Sequence, residues 1–286
     1  VTTVDTVLFG VRLPRIGAAL LVGAALAAAG AAYQSLFRNP LVSPDILGVS
    51  AGAGLGAVLG IFLSLPVLGI QALAFAGGLA TVALVYLVAA AVRGREPVLV
   101  LVLAGVVVGA LAGSMISLLK VLADPYDQLP AITFWLLGSL AGTTAADLGG
   151  AVPAVLLGLA PLLLLRWRID VLALGDEEAR ALGVEAGRLR RIVVAAATLV
   201  TAAVVAISGQ IGWVGLIVPH MARILVGPGF ARLLPTAMLM GAGYLLLVDT
   251  AARSLGTVET PLGILTALVG APFFLWLLAR GRTGWA

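Results

Sequence analysis

Polar positions divide this chain into apolar runs, and nine of these stand out: 13–37, 46–64, 67–92, 98–122, 148–165, 192–208, 211–226, 233–250 and 261–279. A helix needs roughly 20 apolar residues to cross a bilayer. The runs are rich in Ala, Leu and Gly and lack the two-residue alternation of barrel strands, so each predicts a helix. The expected fold is an all-α, polytopic transmembrane helical bundle of nine spans, built as a single domain over residues 1–286.

Composition sharpens this picture. Hydrophobic residues make up 62% of the chain and charged residues 10%, against about a quarter charged in a soluble domain. The absence of cysteine excludes disulfides, iron–sulfur clusters and thiolate metal sites, and one histidine argues against a histidine-rich metal or haem site. No metal or cofactor is therefore expected in this chain. The sequence pI of about 10.1 does not point to nucleic acid, because the cations are scattered between apolar spans rather than gathered on one face.

Charge instead reports topology. Of the 17 Lys and Arg residues, 13 fall on one set of alternate connections, among them Arg38, Arg93, Arg95, Arg166, Arg190, Arg223 and Arg282. Arg12, Arg15, Lys120 and Arg253 fall on the other set. The positive-inside bias puts the first set and the C-terminus in the cytoplasm. An odd number of spans then leaves Val1 outside, with no signal-like start, as if a preceding helix were absent. The connection at 172–191 is charged, cannot span, and lies on the cytoplasmic side. Asp176 reads as an N-cap, Glu177 and Glu178 suit the positive end of a helix dipole, Arg180 suits the other end, and Gly183 stops the turn. The segment predicts a short amphipathic helix over 176–182 that presents Ala179 and Leu182 to a soluble partner, the alternative being a solvated linker.

The stretch GVSAGAGLGAVLG contains a G-x-S-x-G pattern centred on Ser50. A hydrolase nucleophile needs a strand before the serine and a base within reach. No β-rich segment precedes Ser50, and the only imidazole is His220, so an intramembrane serine hydrolase is the weaker reading. Glycine is the stronger signal: Gly48, Gly52, Gly56 and Gly60 recur every fourth residue, and Gly105, Gly109 and Gly113 repeat the device. Such faces let helix backbones approach in lipid. They predict helix packing or a smooth pathway wall. No phosphate-cradling G-x-x-x-x-G-K-[ST] occurs, and the acidic residues sit in loops or at span ends, with Asp249 the nearest exception. An ion-coupled secondary carrier remains an alternative, but the chain reads as passive and driven from outside.

The blocks RLPR (12–15), GAALAAAGAAYQSLFRNPLVSPDILGVSAGAG (23–54), LALGDEEARALGV (172–184), GQIGWVGLIVPHMAR (209–223) and ETPLGILTALVGAPFFLWLL (259–278) together resemble the membrane permeases of type II ABC importers. This is the FecCD family, which imports ferric siderophores, haem and cobalamin. The resemblance implies ten helices per subunit and a homodimer around a translocation path in the bacterial cytoplasmic membrane. It also implies two cytoplasmic ATP-binding subunits, which hold ATP and Mg, and a periplasmic substrate-binding protein. By the same resemblance, Arg12, Arg15 and Arg253 dock that protein, although each is equally suited to pairing with Asp249 or Glu259 or to lipid headgroups. The segment Leu174, Gly175, Asp176, Glu177, Glu178, Ala179, Arg180, Ala181, Leu182 and Gly183 couples to the ATPase, and Val98 and Leu99 form the inner gate. Iron chelate or haem is the expected cargo, with cobalamin possible.

Overall fold

The computed structural model describes residues 3–92, 97–255 and 258–280. Arg93, Arg95 and Arg282 of the charge count lie outside them. Among the described residues the chain is helical, with no strand. In order, the helices are α1 (Thr3–Asp5), α2 (Leu13–Leu36), α3 (Val49–Phe62), α4 (Val67–Ala91), α5 (Pro97–Leu122), α6 (Gln128–Leu137) and α7 (Ala145–Leu164). They continue with α8 (Arg166–Leu172), α9 (Asp176–Ala181), α10 (Ala186–Ser208), α11 (Val214–Val226), α12 (Phe230–Ser254) and α13 (Leu262–Arg280). A π-helical stretch (Thr6–Arg12) leads into α2, and a 3-10 turn (Pro44–Leu47) precedes α3.

The centre of the bundle is α2, whose sequence LPRIGAALLVGAALAAAGAAYQSL leaves little beyond backbone for neighbours to meet. Helices α10, α11, α12 and α7 pack around it. A methyl group on Gly23 would overlap the Gly241 carbonyl of α12, and one on Gly241 would overlap the Gly23 carbonyl in return. Gly30 meets the backbone of Gly215 in α11 in the same way. Because apolar side chains gain little by leaving lipid tails, this close approach of backbones is what packs the helices. Polar groups then fix the crossings. The Tyr33 and Thr198 hydroxyls lie 3.0 Å apart, joining α2 to α10. The fully buried Gln34 donates to the Leu216 carbonyl at 3.1 Å and accepts from Arg223 at 3.0 Å, joining α2 to α11.

Each of the nine apolar runs contains a helix, but among the described residues six helices have the length and hydropathy to cross a membrane. The first of these runs from Val7 to Leu36, because the helical path continues upstream of residue 13. The exceptions are α3, with 14 residues, α11, with 13, and the described apolar part of α13 (Leu262–Trp276). At 1.5 Å per residue α3 measures about 21 Å, short of the ~30 Å hydrocarbon layer. Irregular backbone at such depth is tolerated where protein buries it or a cavity borders it. Helix α6 was not expected at all: ten residues containing Pro130 are too few to register as a span.

The glycine contacts separate two kinds of position. Gly30→Ala drives a methyl into the Gly215 backbone and is expected to cost at least about 1–3 kcal/mol through overpacking. Gly113→Ala meets no atom within 4 Å and is expected to leave stability unchanged or raise it by up to about 1 kcal/mol through helix propensity. Thermal unfolding of the two variants in detergent, followed by size exclusion, reads the difference.

Candidate functional site

Three interruptions of the helical chain meet on one flank. The first is Pro44–Gly48, ending at Gly48 with φ +78°. The second follows α6, where Gly138 has φ +71°, and the third follows α10, where Gly209 has φ +66°. These are left-handed conformations that glycine adopts without steric cost. Backbone bonds lock the junction: Ser139 N–H donates to the Ser208 carbonyl and Leu262 N–H to the Gly138 carbonyl, both at 2.9 Å. The Gln210 side-chain amide donates to the Ser50 carbonyl at 2.8 Å, tying the third break to the start of α3.

Between these breaks, α5 and α13 lies a cavity of about 950 Å³. Its walls include Gly105, Gly109 and Gly113 of α5, Gly48, Ser50 and Ala51, Gln210 and Trp213, and Gly263 and Leu268. Among the described residues lining it, Asp45 alone is charged. Glycine keeps the wall smooth where it faces the cavity and lets elements touch behind it. A Cβ on Gly105 would run into the Ile46 carbonyl, whereas one on Gly113 meets open space. Gln210, Trp213 and Gly263 were not singled out from sequence; the available signal was a polar Gln210 between glycines in an apolar stretch.

The two glycine series therefore do different work. Gly52, Gly56 and Gly60 face α4, against Gly77 and Thr81, Leu73 and Ile70 respectively. Gly48 does not continue that helical face, as its spacing suggested. Its positive φ ends the 3-10 turn, and a Cβ added to it would lie 3.6 Å from the Gly109 Cα. The Ser50 hydroxyl donates to the Asp45 carboxylate, and His220 is not among the described residues that line the cavity. Ser50 is thus a local turn-fixing group with no imidazole beside it in this cavity.

At the end of the bundle opposite the arginine-rich connections, Arg15 is 8% exposed and Asp249 is fully buried. Arg15 Nε donates to Asp249 Oδ1 at 2.9 Å and NH2 donates to the same oxygen at 2.7 Å. Its other edge donates to Glu259, NH1 to Oε2 at 3.0 Å and NH2 to Oε1 at 2.5 Å. Arg253 completes the cluster, 3.3 Å from Asp249 Oδ2. It stands in the last turn of α12 rather than in the loop before α13. The buried Asp249 is thereby paired with two guanidinium groups, as a carboxylate at such depth requires. Arg12 is exposed.

At the arginine-rich end, α8 and α9 form the connection between α7 and α10. Two expectations are corrected here. Gly175, with φ +137°, occupies the N-cap position, and Asp176 is the first helical residue, accepting from Arg190 at 3.1 Å. Ala179 is fully buried within the chain's own core instead of being presented. The exposed face consists of Leu174, Glu177, Glu178, Arg180, Ala181, Leu182 and Gly183. The reason is geometric: a six-residue helix this close to α8 and α10 must turn one small residue inward. Val98 is half-buried and Leu99 is 47% exposed in the first turn of α5.

Comparison with known proteins agrees with this architecture. The profile of the FecCD transport family matches residues 2–280. The molybdate import permease MolB of Haemophilus influenzae is 45% identical over 278 residues, covering 97% of this chain and 82% of that protein. The cobalamin import permease BtuC of Halobacterium salinarum is 46% identical, covering 96% of this chain and 74% of its own. The hemin permease HmuU of Yersinia pestis is 41% identical, covering 95% and 83%. A solved inward-facing structure assigned to the metal-chelate type of ABC transporter superimposes with a TM-score of 0.92 at 44% identity, covering 96% of this chain and 88% of that one. With apolar helices long enough to span and relatives that are transport permeases along nearly its whole length, this chain belongs to the FecCD transport family, as an integral multi-pass permease of the ABC importer type.

Proposed function

We propose that this chain forms one half of the translocation path of an ATP-driven importer for a metal chelate. In this reading a second copy completes the path and two cytoplasmic ATP-binding subunits, holding ATP and Mg, drive it. A periplasmic binding protein delivers the cargo, and the assembly sits in a bacterial cytoplasmic membrane. The observation that carries this reading is the cavity of about 950 Å³ on one flank, walled by glycine and apolar side chains. Its volume lies at the upper end of small-molecule sites, about 300–1,000 Å³, and one flank remains for a partner to close.

The wall also bears on the cargo. A bare oxyanion such as molybdate is favoured by cationic side chains or converging donors, whereas the only charged liner among the described residues is the carboxylate of Asp45. A bulky chelate that hides its charge suits an apolar path better. Haem and ferric siderophores lead, with cobalamin next. Thermal-shift screening of the cognate binding protein against haem, ferric siderophores, cobalamin and molybdate is expected to give its largest shift with a chelate; a shift with molybdate alone overturns this choice. In proteoliposomes, uptake is expected to require the ATPase subunits and ATP. Uptake by the permease alone that collapses with an ion gradient would establish the secondary-carrier alternative.

The exposed face of α9 is the proposed contact with the ATPase, because a rigid helix seated in a groove transmits motion across an interface. Ala181→Trp and Leu182→Glu alter exposed positions. They are expected to leave the melting temperature unchanged and ATP hydrolysis active while uptake falls about tenfold or more, the signature of about 1.4 kcal/mol or more of lost coupling. Normal uptake in both variants removes the assignment.

Docking of the binding protein is proposed at Arg12 and Arg253, the exposed cations at the opposite end, with Arg15 held between its two carboxylates as their support. Val98 and Leu99 remain the proposed inner gate. The double variant Arg12→Glu, Arg253→Glu is expected to weaken docking, measured by surface plasmon resonance, and to flatten its salt dependence, since rim charges act through screened attraction. Docking that is unaltered in this variant counts against the site.

A further inference from the structure

A second, smaller cavity of about 410 Å³ opens at the arginine-rich end, between the ends of α4, α5 and α10. Tyr86, Arg190 and Arg191 supply its polar lining, and Ala89 and Val100 belong to its apolar side. Gly187 stands at its edge, where an added Cβ would meet no atom within 4 Å. The polar groups are all donors or cations. Arg190 is only 13% exposed in its side chain, and Asp176 accepts from its NH2, while its Nε is buried with no hydrogen-bond partner. The Tyr86 hydroxyl is likewise buried and without a partner. A buried donor left unpaired costs about 1–3 kcal/mol, so two of them lining one cavity beside an exposed Arg191 call for an acceptor that none of the described residues supplies. The first turn of α10, a helix of 23 residues, adds its positive dipole end to the same edge.

We infer that this cavity binds a phosphate group, and that the phosphodiester headgroup of an anionic phospholipid is the form that fits it. Phosphate offers several acceptor oxygens to a guanidinium and a phenol at once. The apolar side continues from the charged end along α4 and α5, where an acyl chain can lie. The position suits a headgroup. Tyr86 is five residues before the end of α4, about 7.5 Å along the axis, at the end where the positive-inside bias puts the cytoplasmic leaflet. Because the same Arg190 holds Asp176 at the start of α9, an anion seated on its free edge would share a side chain with the proposed coupling segment.

The full-length chain, delipidated in detergent, is titrated with phosphatidylglycerol or phosphatidylcholine and followed by native mass spectrometry. Phosphatidylglycerol is expected to remain bound with at least about tenfold higher affinity than phosphatidylcholine. Arg191→Gln and Tyr86→Phe are each expected to reduce that preference about tenfold. Asp176→Asn, which removes the carboxylate from Arg190 but leaves both cations, is expected to keep the lipid bound and separates loss of the site from loss of local structure. Inorganic phosphate in excess distinguishes the sources. Lipid that stays bound supports the headgroup, whereas displacement supports a site for free phosphate. Equal binding of the two lipids, or unchanged phosphatidylglycerol binding in both Arg191→Gln and Tyr86→Phe, overturns the proposal.

Discussion

The rest of this molecule depends on one helix having almost no surface of its own. Between Ala18 and Ala32, α2 carries mainly Ala and Gly, and its neighbours reach its backbone at Gly23 and Gly30. In water such a helix would gain little from burial, because it hides few methylenes. In lipid that objection weakens, since larger side chains are solvated equally well by the tails, and contact area between backbones becomes the useful quantity. A helix this bare can be surrounded on all sides. That is why α7, α10, α11 and α12 share it, and why Tyr33 and Gln34 can be placed fully inside at its far end with partners on two neighbours.

Surrounding one helix so closely leaves others at the periphery, and there the chain breaks regularity. The cavity is bounded by the three places where helices stop, around Gly48, Gly138 and Gly209, rather than by side chains pointing away from a groove. Backbone breaks in a membrane protein need internal partners for their amides. The cross-bonds Ser139 to Ser208, Leu262 to Gly138 and Gln210 to Ser50 provide them. The same hydrogen bonds that make the breaks tolerable therefore hold the wall in place.

How far these features can be read from sequence follows from their physical range. Long apolar runs report helices directly, so all nine appear, because hydropathy is a property of consecutive residues. Hydropathy does not report how long a helix is, so α3 and α11, at 14 and 13 residues, fall short of the runs that contain them, and a ten-residue α6 lies below what a window can register. Within the cavity wall, the α5 glycines are visible as a pattern, yet the pattern cannot separate Gly105, pressed against Ile46, from Gly113, facing open space. Gln210 and Trp213 are reached only through the fold, since their partners lie on α3 and α13. Ala179 is the reverse case: small and next to charged residues, it looks available for a partner, but its own chain covers it.

The ion cluster at the outer end shows how a charged group becomes acceptable at such a depth. Leaving either Asp249 or Arg15 without the other strands a buried charge, a loss of about 3–5 kcal/mol for pairs of this kind. Together with Glu259 and Arg253 the four side chains sum to zero, so the cluster is expensive to open but adds no field of its own. Its geometry joins three elements: Arg15 begins α2, Asp249 lies in α12, and Glu259 stands just before α13. Four residues beyond Glu259, Gly263 meets the cavity wall, where a Cβ would lie 2.6 Å from the Leu137 carbonyl and 3.0 Å from that of Gln210. The rim cations proposed for docking and the cavity wall are thus linked through the Arg15–Glu259 pair and the start of α13. Spatial continuity of this kind is the physical precondition for an event at the rim to be felt at the wall. The cluster supplies it by holding the Arg15 guanidinium between Asp249 and Glu259, so that α2, α12 and the start of α13 are tied at one point.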